Sequence, residues 1–199
     1  MAKVPAKGEV VNVNVSPEGK QRLQIGISWD AQQKEIQTGF LKNKTEIVFE
    51  TSDLDLSCYI FDDQKKFLEI VSPENSYMMD RSEQINHSGD NTEGHMPGDD
   101  EFVSVNMATL PDYIHKMVFV VTSPDKKPFK DVANVVARVA DGKTDEVQLS
   151  YDLTKGDNEG KIIFVFAGLN RDENQKSGWA LQNISEFRDS GSVEELAEI

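Results

Sequence analysis

The chain has 199 residues, 38% of them hydrophobic and 28% charged, with a formal net charge of −14 and a sequence pI near 4.6. That length fits a single β sandwich or barrel. The charge excludes general nucleic-acid binding, which needs Lys/Arg patches to displace the counterions of phosphate, and disfavours anionic membrane surfaces. One cysteine, Cys58, excludes an intrachain disulfide and is expected to be a buried, reduced thiol. No segment approaches the roughly 20 apolar residues of a membrane helix, and Met1 to Gly8 lacks a signal-peptide core, so the expected location is the cytoplasm.

Apolar residues recur with period two, the signature of half-buried strands. Val11, Val13 and Val15 alternate with Asn12 and Asn14, and Leu23, Ile25 and Ile27 run to Trp29-Asp30. Between Asp53 and Phe61, Leu54, Leu56, Cys58 and Ile60 share one face while Asp53, Asp55 and Ser57 share the other. Further strands are predicted over 102–107, 117–122, 135–139, 147–151 and 162–169. Turn signals separate them at Ser16-Pro17-Glu18-Gly19, Asp62-Asp63, Ser123-Pro124-Asp125, Asp141-Gly142 and Gly156-Asp157-Asn158. Helical signals are confined to a turn or two over 108–116 and to 192–198. There, Ser192 followed by Glu195 reads as a capping box on a tail expected to fray. The pattern predicts an all-β fold: a two-sheet β sandwich, mostly antiparallel, over residues 1–190, with an acidic C-terminal tail over 191–199.

Two acidic stretches stand out. Asp53 and Asp55, at i and i+2, are aimed at one side of a strand whose alternate residues anchor it in the core. Like charges held side by side cost free energy unless a cation separates them. The second stretch is the Gly-rich segment from His87 to Glu101, with Asp90, Glu93, Asp99, Asp100 and Glu101 as carboxylates and Asn91 as an amide. Gly89, Gly94 and Gly98 let that backbone turn its own carbonyls inward. Hard oxygen donors on a flexible loop suit Ca²⁺ better than Mg²⁺, which demands a small octahedral site. An EF-hand fails here: His95 stands at the sixth position of Asp90–Glu101, where glycine is needed, and no helices flank the loop. Trp29 and Trp179 read as core residues.

The acidic motifs resemble those of the TerD family, the tellurium-resistance and calcium-binding stress proteins of bacteria. Gly26-Ile27-Ser28-Trp29-Asp30 is similar to that family's Gly-x-x-Trp-Asp strand end, and Asp53-Leu54-Asp55-Leu56-Ser57 to its Asp-Leu-Asp-x-Ser motif. His87-Ser88-Gly89-Asp90-Asn91 and Gly98-Asp99-Asp100-Glu101 match its Gly-Asp-Asn and Gly-Asp-Asp-Glu motifs, and the likeness extends from about residue 8 to 182. About a dozen additional residues within 31–52, and His95-Met96-Pro97 in place of a Gly/Glu alternation, depart from the family pattern. The resemblance implies a non-catalytic, cytoplasmic stress-response β sandwich binding one or two Ca²⁺ near one end. Asp53 and Asp55 would ligate from the strand, joined by Asp90, Asn91, Asp99, Asp100 and Glu101 from the loop, with Asp30 a further candidate. It also implies partners among other stress and tellurium-resistance proteins, in a membrane-associated complex.

Other chemistry finds less support. His87, His95 and His115 have no metal-ligand spacing, and His87 is expected at the surface. No nucleophile elbow, P-loop or dinucleotide fingerprint is present. A metal-dependent hydrolase using the same acids stays open, as does a scaffold whose acids bind nothing.

Overall fold

The computed structural model describes residues 5–17, 21–38, 44–94 and 96–199. Met1–Val4, the Glu18-Gly19 half of the first expected turn, and His95 lie outside them. In chain order the strands are β1 (Val10–Asn12), β2 (Arg22–Asp30), β3 (Gln32–Thr38), β4 (Lys44–Glu50), β5 (Asp55–Phe61), β6 (Phe67–Val71) and β7 (Ile85–His87). They continue as β8 (Glu101–Asn106), β9 (Lys116–Thr122), β10 (Ala133–Asp141), β11 (Val147–Asp152), β12 (Ile163–Arg171) and β13 (Trp179–Arg188), before helix α1 (Val193–Glu198).

Two antiparallel sheets form the predicted sandwich. One has the order β1-β13-β12-β9-β5-β6 and the other β11-β10-β2-β8-β7. β5 shows why: Leu54, Leu56, Cys58 and Ile60 have no exposed surface and enter the inter-sheet core with Ile25, Ile27, Phe119 and Phe166. Burying each such side chain stabilises the fold by about 1.5–3 kcal/mol. β9 is buried on both faces, so its apolar run does not alternate.

The outer face of β9 and β12 belongs to a second cluster, in which Val118, Val120 and Val165 meet Leu196 and Ala197 of α1. The tail therefore does not fray. Ser192 accepts a hydrogen bond from the Glu195 backbone N–H and the reciprocal contact completes the capping box. Buried Lys116 donates from Nζ to the Ala197 carbonyl at 2.8 Å. Apolar cover and a satisfied last turn hold a helix too short to persist alone.

Three further differences from the sequence reading have physical causes. The segment 108–116 forms turns rather than a helix, because Pro111 interrupts it and Leu110 and Ile114 plug the core as separate pegs. β1 stops at Asn12: the Val13 N–H still donates to the Trp179 carbonyl at 3.2 Å, but the Gln148 amide of β11 takes both backbone groups of Asn14. Finally, the additional residues within 31–52 form β3 and β4, a two-stranded arm belonging to neither large sheet. Trp29, Trp179 and Cys58 are buried as expected.

Candidate metal centre

The register Asp55↔Thr122 in one sheet and Ile27↔Glu101 in the other brings the start of β5, the end of β2 and the start of β8 to one end of the sandwich. The loop from Ser88 to Asp100 closes over that end. Gly89, Gly94 and Gly98 all have positive φ, as the notion of a backbone turning back on itself requires. Gly94 is the most constrained of them, since a Cβ there would overlap the Trp29 indole. The same indole donates from Nε1 to the Ser52 carbonyl at 2.8 Å, and the Trp29 backbone N–H donates to Asp100 Oδ2 at 2.8 Å. One tryptophan thus fastens both the acidic loop and the segment entering Asp53.

Asp53, Asp55 and Asp90 each present a carboxylate oxygen, and the three oxygens lie within 4.8 Å of one another. Burial pushes the Asp55 carboxyl up to about 7 from 3.8, with the charges of Glu101, Asp53 and Asp90 adding to the effect. Asp53 is raised too, by burial and then by Asp90, Glu101 and Asp125. Asp53 Oδ1 is buried and has no hydrogen-bond partner among the described residues. An acceptor orphaned beside two other acids fits a hard cation, and every donor in the set is an oxygen of the kind Ca²⁺ accepts.

The remaining predicted ligands surround this trio in different roles. Glu101 is fully buried. Its Oε2 accepts from the Leu56 N–H at 2.9 Å and its Oε1 from the Asn91 N–H at 3.1 Å, which ties loop to strand. Asn91 Oδ1 accepts from the backbone N–H groups of Glu93 and Gly94, while its amide donates to Asp100 Oδ1 at 3.4 Å. Asp100 also accepts from the Met96 N–H at 2.9 Å, so it braces the loop from within. Asp99 points elsewhere: Arg138 donates to both its oxygens at 2.7 and 3.0 Å, and Gln24 donates at 2.8 Å. Its carboxylate lies over Gly26, where any Cβ would overlap it. Asp30 is turned to Asn134, which donates to it at 2.7 Å.

His87, expected at the surface, is buried. The Gly89 N–H donates to its Nδ1 at 3.0 Å, which leaves the proton of a neutral ring on Nε2, 3.4 Å from Glu101 Oε2. That is close enough for attraction, yet Nε2 makes no hydrogen bond among the described residues. A signal was present in the sequence: Ile85 and His87 alternate, so a buried Ile85 carries His87 to the same face. Arg138 gave no comparable sign, because its partner lies 39 residues away.

The comparisons with known proteins agree with this architecture. The model of the TerD domain matches residues 1–198. The tellurium resistance protein TerZ of Serratia marcescens is 29% identical over 158 residues, covering 79% of this chain and 78% of its own. General stress protein 16U of Bacillus subtilis (strain 168) is 30% identical, with 75% and 74% covered. A crystal structure of a homologue of telluride resistance protein (TerD) from Streptomyces coelicolor A3(2) superposes with a TM-score of 0.65 at 18% identity. That match covers 86% of this chain and 92% of the other. By sequence and by fold, then, the chain belongs to the TerD-domain family of stress and tellurium-resistance proteins.

Proposed function

We propose that this protein is a calcium-binding, non-catalytic module of the TerD type, working in the cytoplasm. The observation that carries the reading is the meeting of Asp53, Asp55 and Asp90 within 4.8 Å, one of them with an orphaned buried oxygen. Asp53 and Asp55 at the head of β5 and Asp90 in the loop would hold the ion, which would supply the positive charge that their mutual repulsion lacks. Glu101 and Asn91 hold loop against strand, Asp100 keeps the loop folded over Trp29, and the Leu56 N–H holds Glu101 in place with His87 beside it. Asp99, neutralised by Arg138, locks the far end of the loop to the sheet.

With the loop ordered, the rim of the sandwich becomes a fixed surface. We extend the proposal to a role as an interaction module for other stress and tellurium-resistance proteins in a membrane-associated complex; the relatives' names supply only the link to tellurium resistance and general stress. Calorimetric titration with Ca²⁺ and with Mg²⁺, beside melting curves in Ca²⁺ and in chelator, tests the reading. Saturable Ca²⁺ binding and a raised melting temperature are expected, because a ligand that binds only the native state stabilises it. Identical melting curves and no heat of binding would refute the ion site. Turnover of an ester or glycoside panel in Ca²⁺ would refute the non-catalytic role.

A further inference from the structure

The β3–β4 arm answers to nothing in the metal reading. Its seven paired positions run from Gln32↔Glu50 to Thr38↔Lys44, and no further strand pairs with either edge among the described residues. Ile47 is 62% exposed, Phe49 58% and Ile36 40%. A lone two-stranded ribbon is marginally stable in water, and an open edge carrying β-branched and aromatic residues is a template for another strand. Among the described residues, the ion pairs and side-chain hydrogen bonds from arm to body lie at its base. Glu50 is held by Lys34 and Lys127, Lys127 Nζ also donates to Ser52 Oγ at 2.8 Å, and Gln32 donates to the Asp131 carbonyl at 2.7 Å.

Charge selects the occupant. Residues 32–50 hold Lys34, Lys42 and Lys44 against Glu35, Glu46 and Glu50, so the arm is neutral and the whole −14 of the chain lies elsewhere. Two copies repel through most of their surface but not through this one. The order of residues along β4 is also self-complementary. Laid antiparallel on a second β4 with Ile47 opposite Ile47, the strand sets Lys44 against Glu50 and Thr45 against Phe49, each twice. Ile47, Thr45 and Phe49 fall on one face, and Lys44, Glu46 and Glu50 on the other.

We propose that the arm is a self-docking edge: β4 of one copy pairs antiparallel with β4 of a second copy about a two-fold axis at Ile47, making a four-stranded ribbon. The contact is isologous and closes on itself, which yields a dimer rather than a filament. Seven residues a side fall below the area of a standard permanent interface, so the dimer is reversible and concentration-dependent. Its register makes a sharp demand. Residues 47 face each other across the axis within disulfide reach, whereas residues 45 stand about 13 Å apart along the strands.

Sedimentation velocity of the full chain, from micromolar to hundreds of micromolar and in both Ca²⁺ and chelator, tests this. The unaltered chain is expected to pass from its 22.3 kDa monomer mass to twice that value with rising concentration. Ile47→Lys, at a solvent-facing site, is expected to keep the melting temperature and remain monomeric. Under mild oxidation, Ile47→Cys should cross-link to a covalent dimer and Thr45→Cys should not, native Cys58 being buried. A monomer at every concentration overturns the proposal, and so does a dimer indifferent to Ile47→Lys. Equal cross-linking at 45 and 47, or none at 47 in a chain that dimerises, overturns the register.

Discussion

Asp90 and Asp99 stand nine residues apart in one loop and have opposite surroundings. Asp99 is met by the Arg138 fork and by Gln24, so its charge is answered from within the protein. Asp90 faces Asp53 and Asp55, whose protonation is favoured first by burial and then by the neighbouring acids. A carboxylate with a fixed cation is part of the frame, while three carboxylates facing each other repel one another and would be relieved by the proposed ion. Acid content alone does not mark a site. What marks it is charge that the fold leaves uncompensated.

The largest effect that sharpens this contrast is Asp55→Asn. Removing one of three charged oxygens should weaken Ca²⁺ binding on the order of 100-fold, read by calorimetry, while the ion-free chain melts no lower than before. Asp99→Asn should do the reverse. It removes the buried one of Arg138's two carboxylate partners, leaving only exposed Asp145, and should cost about 2 kcal/mol in denaturant unfolding, by the same amount with and without Ca²⁺. An Asp99 variant that lost Ca²⁺ binding outright, at unchanged stability, would erase the distinction.

Gly94→Ala falls between them. A side chain at positive φ, pressed into Trp29, should cost about 1–2 kcal/mol and weaken Ca²⁺ binding as well, because the loop that carries Asp90 is displaced.

The smallest effect concerns pH. Because the Asp55 carboxyl sits at about 7 in the folded chain instead of 3.8, the native state holds a proton that the unfolded chain has released. Ion-free stability should therefore fall as pH rises from the ordinary carboxylate range to about 7, and Asp55→Asn should flatten that slope. Half-exposure of the group keeps the slope shallow. Asp141 and Asp152, whose carboxyls are held below 3.8 by backbone and side-chain hydrogen bonds, act in the opposite direction and only at lower pH.

Much of this was legible in the order of residues. Alternation placed Leu54, Leu56, Cys58 and Ile60 inside and left Asp53 and Asp55 side by side, since strand geometry has only two faces. The meeting of Asp90 with that pair was expected from the two acidic motifs, and the fold brings the three carboxylates together. The direction of Asp99 was not legible, because a loop carboxylate takes its aim from a partner on a distant strand. The arm escaped too: Gln32-Gln33-Lys34-Glu35 is polar on both faces and lacks the apolar rhythm that core-facing strands show. At the other end, the capping box of α1 could be read from Ser192 and Glu195. Its docking could not, as the cluster that receives Leu196 and Ala197 is assembled from β5, β9, β12 and β13.

Trp29 and Trp179 are equally buried but sit at opposite ends of the sandwich. Trp29 lies beneath Gly94 with its indole bonded to Ser52, and Trp179 lies under the Arg171 guanidinium 4.8 Å from its ring. The molecule thereby contains two indoles in separate surroundings. Replacing Trp179 by Phe would leave Trp29 as the one indole of the chain, and a change in its emission on adding Ca²⁺, without any dye, is the outcome the proposed ion site predicts.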